Sequence, residues 1–150
     1  VADIKQFNRD QRQHEQIFQV QILDFCAILQ RKAIIHDDSK WSDEEYDAFV
    51  ASRDSLRGSK DGKDAEYQKH LSSKAIQRHI TTNDHHPEYW DRRGAKMPLW
   101  AIISMFFDWR SRCIQKGGNF DDFWEFNLAK LKNQPHAIPV VETLRGEYCG

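Results

Sequence analysis

The sequence predicts an all-α protein folded as a single domain. Apolar residues recur at helical rather than strand spacing along almost the whole chain. Helix start and stop residues sit at the edges of those segments, and no stretch alternates apolar and polar residues as a half-buried strand does. At 150 residues the chain is long enough to bury one core. Its 39% hydrophobic and 12% aromatic content is that of a globular protein, and its five tryptophans point to a core built on large rings.

From Asp10 to about Lys32, residues Ile17, Phe18, Ile22, Phe25, Ile28 and Leu29 form a stripe with a period near that of an α-helix. "AIIHDDSK" reads as a short second helix, and Ser42-Asp43-Glu44-Glu45 as a capping box opening a third that runs through Val50. "RDSLRGSKDGKD" is polar, carries Gly58 and Gly62, and reads as a mobile loop. A helix is predicted from about Asp64 to Thr82, followed by a turn region through "HHPEYWDRRGAK". Pro98 suits a first helical turn and opens an apolar helix to Lys116, stopped by Gly117-Gly118. "NFDDFWEFNLAKLK" is a further amphipathic helix capped by Asn119, and a short terminal helix follows Pro135 and Pro139.

Composition excludes several function classes. Lys and Arg total 22 against 23 Asp and Glu, which argues against a nucleic-acid binder. No apolar run approaches the roughly 20 residues that span a bilayer, so no membrane segment is expected. "VADIKQFNRD" has no signal-peptide core. Cys26, Cys113 and Cys149 are an odd number without CxxC spacing, against a disulfide framework or zinc knuckle. Cys26 and Cys113 fall in apolar helical patterns and read as small core residues. The cytoplasm is the expected location; oligomeric state is left open.

Histidines and acids placed on these helices at roughly 100° per residue give a candidate site. His14 lies in the first helix's apolar stripe, with Asp10 on the same face at i−4. His36 and Asp37 are adjacent, with Lys40 projecting between them; a carboxylate can bridge two cations, an imidazole binds one, and a lysine beside them suits a phosphate oxygen. His79 shares the more apolar face of its helix with Ser72, Ala75 and Ile76, whereas His70 points away and reads as surface; His136 is left outside the site. His85 and His86 follow in the turn, where Pro87 biases His86 toward extended backbone. Asp84 is placed to orient an imidazole. Asp108 is a charge in an apolar helix, with Ala101, Ser104, Ser111 and Arg112 as its angular neighbours, opposite a Leu99/Ile103/Phe106 stripe. Each residue alone also has an ordinary explanation: a hydrogen-bonded core histidine, a chance dipeptide, or an exposed aspartate paired with Arg112.

In chain order these residues form the set His14, His36-Asp37, His79, His85-His86, Asp108. The set resembles the signature of the HD superfamily of metal-dependent phosphohydrolases. "HDDSK" is similar to the HDxGK form of its motif, and "HHPEYWDRRG" to the HHE-x-W/Y-D-G segment of the HD-GYP cyclic-di-nucleotide phosphodiesterases. More narrowly, the pattern HDxSK … H … N-x-HH … YW … MP … DW resembles a small HD-like family frequent in phages and bacteria. The resemblance covers about Asp10 to Trp109; the GYP tripeptide is absent, and the step from His79 to His85 is shorter than in dinuclear members.

The resemblance implies an HD-type helical bundle in which His14, His36, Asp37 and Asp108 ligate a shared metal. His79 and one or both of His85 and His86 would serve a second, with Asp37 as bridge and Asp10 as a weaker further ligand. Lys40 would contact substrate phosphate, and His86, where it is not a ligand, would protonate the leaving group. The implied cofactor is a divalent transition metal, two ions, with Fe, Mn, Co, Ni and Zn not distinguished. The implied reaction is hydrolysis of a nucleotide or related small phosphoester by a metal-bound hydroxide, with Arg78, Arg92 or Arg93 countering charge. A second reading from the same resemblance is a mixed-valent di-iron oxygenase of the myo-inositol oxygenase branch. A third is a helical binding module with a structural or lost metal and a partner surface around Trp41, Trp90 or Trp124.

Overall fold

A computed structural model describes residues 4–43, 45–47, 49–50 and 73–149, and the described residues are helical with no strand among them. The all-α expectation therefore holds. By its internal contacts the chain divides into two compact units, Val1–His36 and Asp37–Gly150. The loop expected over 53–64, the first part of the helix expected from Asp64, and His70 lie outside the described residues.

The first unit is essentially one helix, α1 (Ile4–Ile34). The sequence there contains neither glycine nor proline, and Arg31 and Lys32 in the last turn complement the helix dipole. No residue of α1 is buried, and its stripe is only partly sheltered: Phe25, Ile28 and Leu29 are half-buried, while Ile17, Phe18 and Ile22 are exposed. Cys26 is exposed as well, against its expected place in the core; Cys113 is buried as expected.

The expected second helix over "AIIHDDSK" does not form. The chain turns after Ile34, and Asp37 adopts a left-handed conformation at φ 62°, ψ 12°, which no α-helix continues through. Aspartate is one of the few side chains that occupy this region readily. A short 3-10 turn, Asp38–Trp41, follows, starting with Lys40 N–H donating to Asp37 O at 2.9 Å. Helical hydrogen bonds resume where Tyr46 and Phe49 N–H donate to Ser42 O and Glu45 O, both at 2.9 Å. Ser42 and Glu45 do not make the expected reciprocal cap: Ser42 Oγ donates to Ser39 O at 2.7 Å, and the Glu45 carboxylate accepts from Ser39 Oγ at 3.0 Å.

Helix α2 (Lys74–Thr82) begins later than expected because Ser73, at ψ 146°, is its N-cap and accepts from Ile76 N–H at 3.3 Å. Its buried residues are Ala75 and His79, one turn apart on one face. The "HHPEYW" turn contains a single-turn helix, α3 (Pro87–Asp91), with Pro87 in its first turn and His86 extended before it, as the proline dictates. Helix α4 (Leu99–Lys116) starts after Pro98 as its N-cap and ends at Gly117, whose φ of 64° suits glycine. Helix α5 (Phe120–Leu128) is capped by Asn119, whose Oδ1 accepts from Asp121 N–H at 2.7 Å. Two 3-10 turns, Ala129–Leu131 and Pro135–Ala137, lead into α6 (Ile138–Tyr148).

The core of the second unit is built from α4, α5 and α6. Met97, Ala101, Ile102, Met105, Phe106, Trp109, Cys113, Phe120, Trp124, Leu131, Ala137 and Val141 form one buried cluster, with Trp90 and Trp100 packed against it. The buried face of α4 is rotated from the expected Leu99/Ile103/Phe106 stripe: Leu99 is exposed, and Ala101, Ile102, Met105, Phe106, Trp109 and Cys113 face inward. Trp41 is the exception among the tryptophans, at 76% exposed. One polar hub ties this core to α3. Gln134, 2% exposed, accepts from Met97 N–H at 2.9 Å and donates to Asp91 Oδ1 at 2.7 Å and Ala95 O at 3.1 Å. His136, which the sequence leaves outside the site, is half-buried with Nε2 at 2.8 Å from Met97 O.

Candidate metal centre

The site in the second unit is organised around the two oxygens of Asp37. Oδ1 faces imidazoles: His79 Nε2 lies at 3.1 Å and His85 Nε2 at 3.6 Å. Oδ2 faces cations: Lys40 Nζ is paired with it and Arg112 Nη2 lies at 3.5 Å. The left-handed backbone at Asp37 makes this possible, since it ends helical geometry and turns the carboxylate toward α2 and α4 within the same unit.

Three imidazoles gather there. His79 comes from the buried face of α2, and His85 and His86 from the turn ahead of α3; their ligand nitrogens lie within 4.8 Å of one another. Ring centroids are 5.0 Å apart for His79 and His86, 4.3 Å for His85 and His86, and 6.0 Å for His79 and His85. The placement follows from local sequence. Asn83 ends α2 in extended backbone and Pro87 holds His86 extended, so the turn from Asn83 to His86 doubles the chain back on His79. Trp90 Nε1 donates to Asp84 O at 2.7 Å and locks that reversal. Asp108, half-buried on α4, offers a carboxylate oxygen within 4.8 Å of the ligand nitrogen of His85.

The donor set fits a transition-metal cation. A cation about 2.0–2.2 Å from each ligand holds adjacent ligand atoms about 3 Å apart and opposed ones about 4 Å apart. The 3.1 Å from Asp37 Oδ1 to His79 Nε2 matches the first figure, and the 3.6 Å to His85 Nε2 falls between the two. His86 Nε2 is buried and makes no hydrogen bond, an arrangement costly for a polar nitrogen unless a ligand takes its lone pair. Burial holds the His86 imidazole well below its usual pKa, helped by its neighbours His85 and His79 and opposed by Asp108 and Asp37. A neutral ring is the ligating form.

Of the other residues the sequence singles out, His14 and Asp10 are exposed on α1 in the first unit, where Asp10 Oδ1 accepts from Gln6 Nε2 at 2.6 Å. His36 is the half-buried last residue of that unit, one peptide bond before Asp37. Lys40 stands at the carboxylate as expected and also lies 5.4 Å from the centroid of the Phe49 ring. Arg78 pairs with Glu45 at 3.5 Å, and Arg93 stacks on Tyr89 at 3.5 Å while donating to Tyr89 O; Arg92 is exposed.

Sequence reasoning missed three contributors. Glu45, 1% exposed, has Oε2 at 3.3 Å from His79 Nδ1; in the sequence it looks like an ordinary acid of a helix's first turn. Asn83 packs its amide against Ser39 and His79, and only its place four residues after His79 hints at this. Arg112, read as a partner of Asp108, reaches Asp37 instead. Deeper in α3, burial raises the pKa of Glu88, with Lys130 opposing, and Glu88 Oε2 makes no hydrogen bond. Lys130 is exposed as a residue, and crowding by the surrounding protein lowers its pKa against the pull of Glu88 and Asp108.

The model of a family of unknown function, DUF5662, matches residues 3–144, and the chain belongs to that family. Comparison with curated proteins and with solved structures gives no match. Among the described residues, no helix is long and apolar enough to cross a membrane.

Proposed function

We propose that this DUF5662 chain is a metal-dependent phosphohydrolase acting on a nucleotide or related small phosphoester. One observation carries the reading: a single carboxylate, Asp37, turns one oxygen to His79 and His85 and the other to Lys40 and Arg112. A cation-holding half and an anion-holding half thus meet at one residue, which is what hydrolysis of a phosphoester requires.

In this proposal His79, His85, His86 and Asp37 hold the metal, with Asp108 beside His85. When bound, the metal lowers the pKa of a water and withdraws charge from the phosphoryl group. Lys40 and Arg112 bind non-bridging phosphate oxygens, exchanging part of their attraction to Asp37 Oδ2 for the substrate's charge. Two cations from separate elements also orient the phosphate, which places the scissile bond over the histidine side.

The test is purification without added metal, elemental analysis, then a panel of nucleotides and phosphodiesters with and without Mn2+ or Fe2+. Retained transition metal with metal-dependent phosphate release supports the proposal. Absence of both metal binding and phosphate release overturns it, and substrate-linked oxygen uptake would turn the reading to a di-iron oxygenase.

A further inference from the structure

The hydrogen bonds around His79 fix more than its position. Nδ1 lies 3.3 Å from Glu45 Oε2, 3.1 Å from Ser39 Oγ and 3.2 Å from Asn83 Nδ2. Counting protons decides among them. Asn83 Nδ2 has two hydrogens, and its two shortest contacts, Ser39 Oγ and His79 O at 2.9 Å each, take both. Ser39 has one, given to Glu45 Oε2 at 3.0 Å. With the Ser39 proton on its shorter contact, no donor is left over for His79 Nδ1, whereas Glu45 Oε2 and Ser39 Oγ both have lone pairs to offer it. The proton of a neutral His79 therefore sits on Nδ1.

That places the His79 lone pair on Nε2, which faces Asp37 Oδ1 at 3.1 Å. Two acceptors that close, inside a site where His79 is 3% exposed, are brought to terms by a cation between or beside them. Glu45 itself is held from its other side, with Oε1 at 3.5 Å from Arg78 Nε, and the edge of Phe49 closes over the His79 ring at 5.4 Å between centroids.

We infer that Glu45 is the positioning residue of the centre: with Ser39 as its relay, it holds His79 in the Nδ1–H tautomer and so presents Nε2 to a divalent cation. A carboxylate behind a ligating imidazole is the usual way to fix tautomer and ring orientation. The metal-ligation half of this inference rests on the proposed function, whereas the tautomer half does not.

The experiment is imidazole 15N NMR on the metal-free protein at about pH 8, where an ordinary imidazole is neutral, paired with Zn2+ or Mn2+ titration. The wild type is expected to show His79 protonated at Nδ1 and bare at Nε2. Glu45→Gln, which keeps an acceptor oxygen, retains that tautomer. Glu45→Ala releases it toward Nε2–H and weakens metal binding about 10–100-fold, with circular dichroism confirming the fold. A wild-type His79 protonated at Nε2 overturns the inference, as does a folded Glu45→Ala variant with unchanged tautomer. Should the alanine variant not fold, the wild-type and Glu45→Gln spectra decide the matter. A protein with the Nδ1–H tautomer and no metal affinity would refute the phosphohydrolase reading and the ligation half while leaving the Glu45–His79 assignment in place.

Discussion

Replacing Asp37 with asparagine separates the chemistry of the centre from the fold that carries it. Asparagine has nearly the same shape and also tolerates left-handed backbone, so φ of 62° is no obstacle. What disappears is one negative charge. Unit charges about 4 Å apart interact by about 4 kcal/mol at the effective dielectric of a protein surface, and a divalent cation in ligand contact interacts more strongly still. Even if amide ligation recovers part of this, at least about 2.7 kcal/mol should be lost, or about 100-fold in affinity. Fold stability should fall by about 1.5–3 kcal/mol through the part-buried Lys40 pair, with little added by Arg112. Arg112 is 45% exposed and its contact with Asp37 is 3.5 Å long, so that pair is worth under about 1 kcal/mol. Isothermal titration with Zn2+ or Mn2+, beside urea denaturation of the metal-free protein, measures both quantities. An affinity change under about threefold in a folded Asp37→Asn variant would refute the reasoning.

Two further perturbations probe the surroundings. The metal-free protein should lose stability in mild acid through His86: its folded pKa is depressed, so an unfolded chain takes up the proton first. The contribution is complete above about pH 6.5 and is lost as pH falls below it, at up to about 1.4 kcal/mol per pH unit. Denaturation of wild type and His86→Asn in a Glu88→Gln background should diverge in that window, because Glu88, raised by burial, titrates in the opposite sense; parallel curves would contradict the depressed pKa. Gln134→Ala should cost about 1–3 kcal/mol, since it strands the buried Met97 N–H and takes the donor from Asp91 Oδ1, leaving Asn133 on Oδ2. A neutral result in thermal or urea denaturation would remove Gln134 as the hub that holds α3.

Much of the fold was legible because its determinants are local. Pro98 and Gly117 bracket α4, Asn119 caps α5, and Pro87 sets the backbone of His86, each through a conformational restriction that acts within a residue or two. The break at Asp37 was not legible, because "AIIHDDSK" contains no glycine or proline and only tertiary placement selects left-handed backbone for an aspartate. The rotation of the α4 face was missed for a related reason. Leu99 and Ile103 are as apolar as Ile102 and Met105, so composition alone cannot say which side of a mostly apolar helix turns inward.

In the site, His79, His85, His86, Lys40 and Asp37 come together, all of them residues that the sequence singles out. Glu45 and Arg112 did not announce themselves. An acid near a helix start and a basic residue late in a helix are the commonest surface choices, and nothing within a few positions of either betrays its distant partner. Contacts of this kind are made by the fold, whereas the histidines and aspartates of the cluster are written in the chain.

The most direct measurement is diffraction from crystals grown with Mn2+ or Zn2+, read at the anomalous signal of the ion. A peak about 2.0–2.3 Å from His79 Nε2 and Asp37 Oδ1, with a second imidazole from His85 or His86 in reach, is the result required. A protein that binds the ion elsewhere, or shows no peak at saturating metal, would contradict the account.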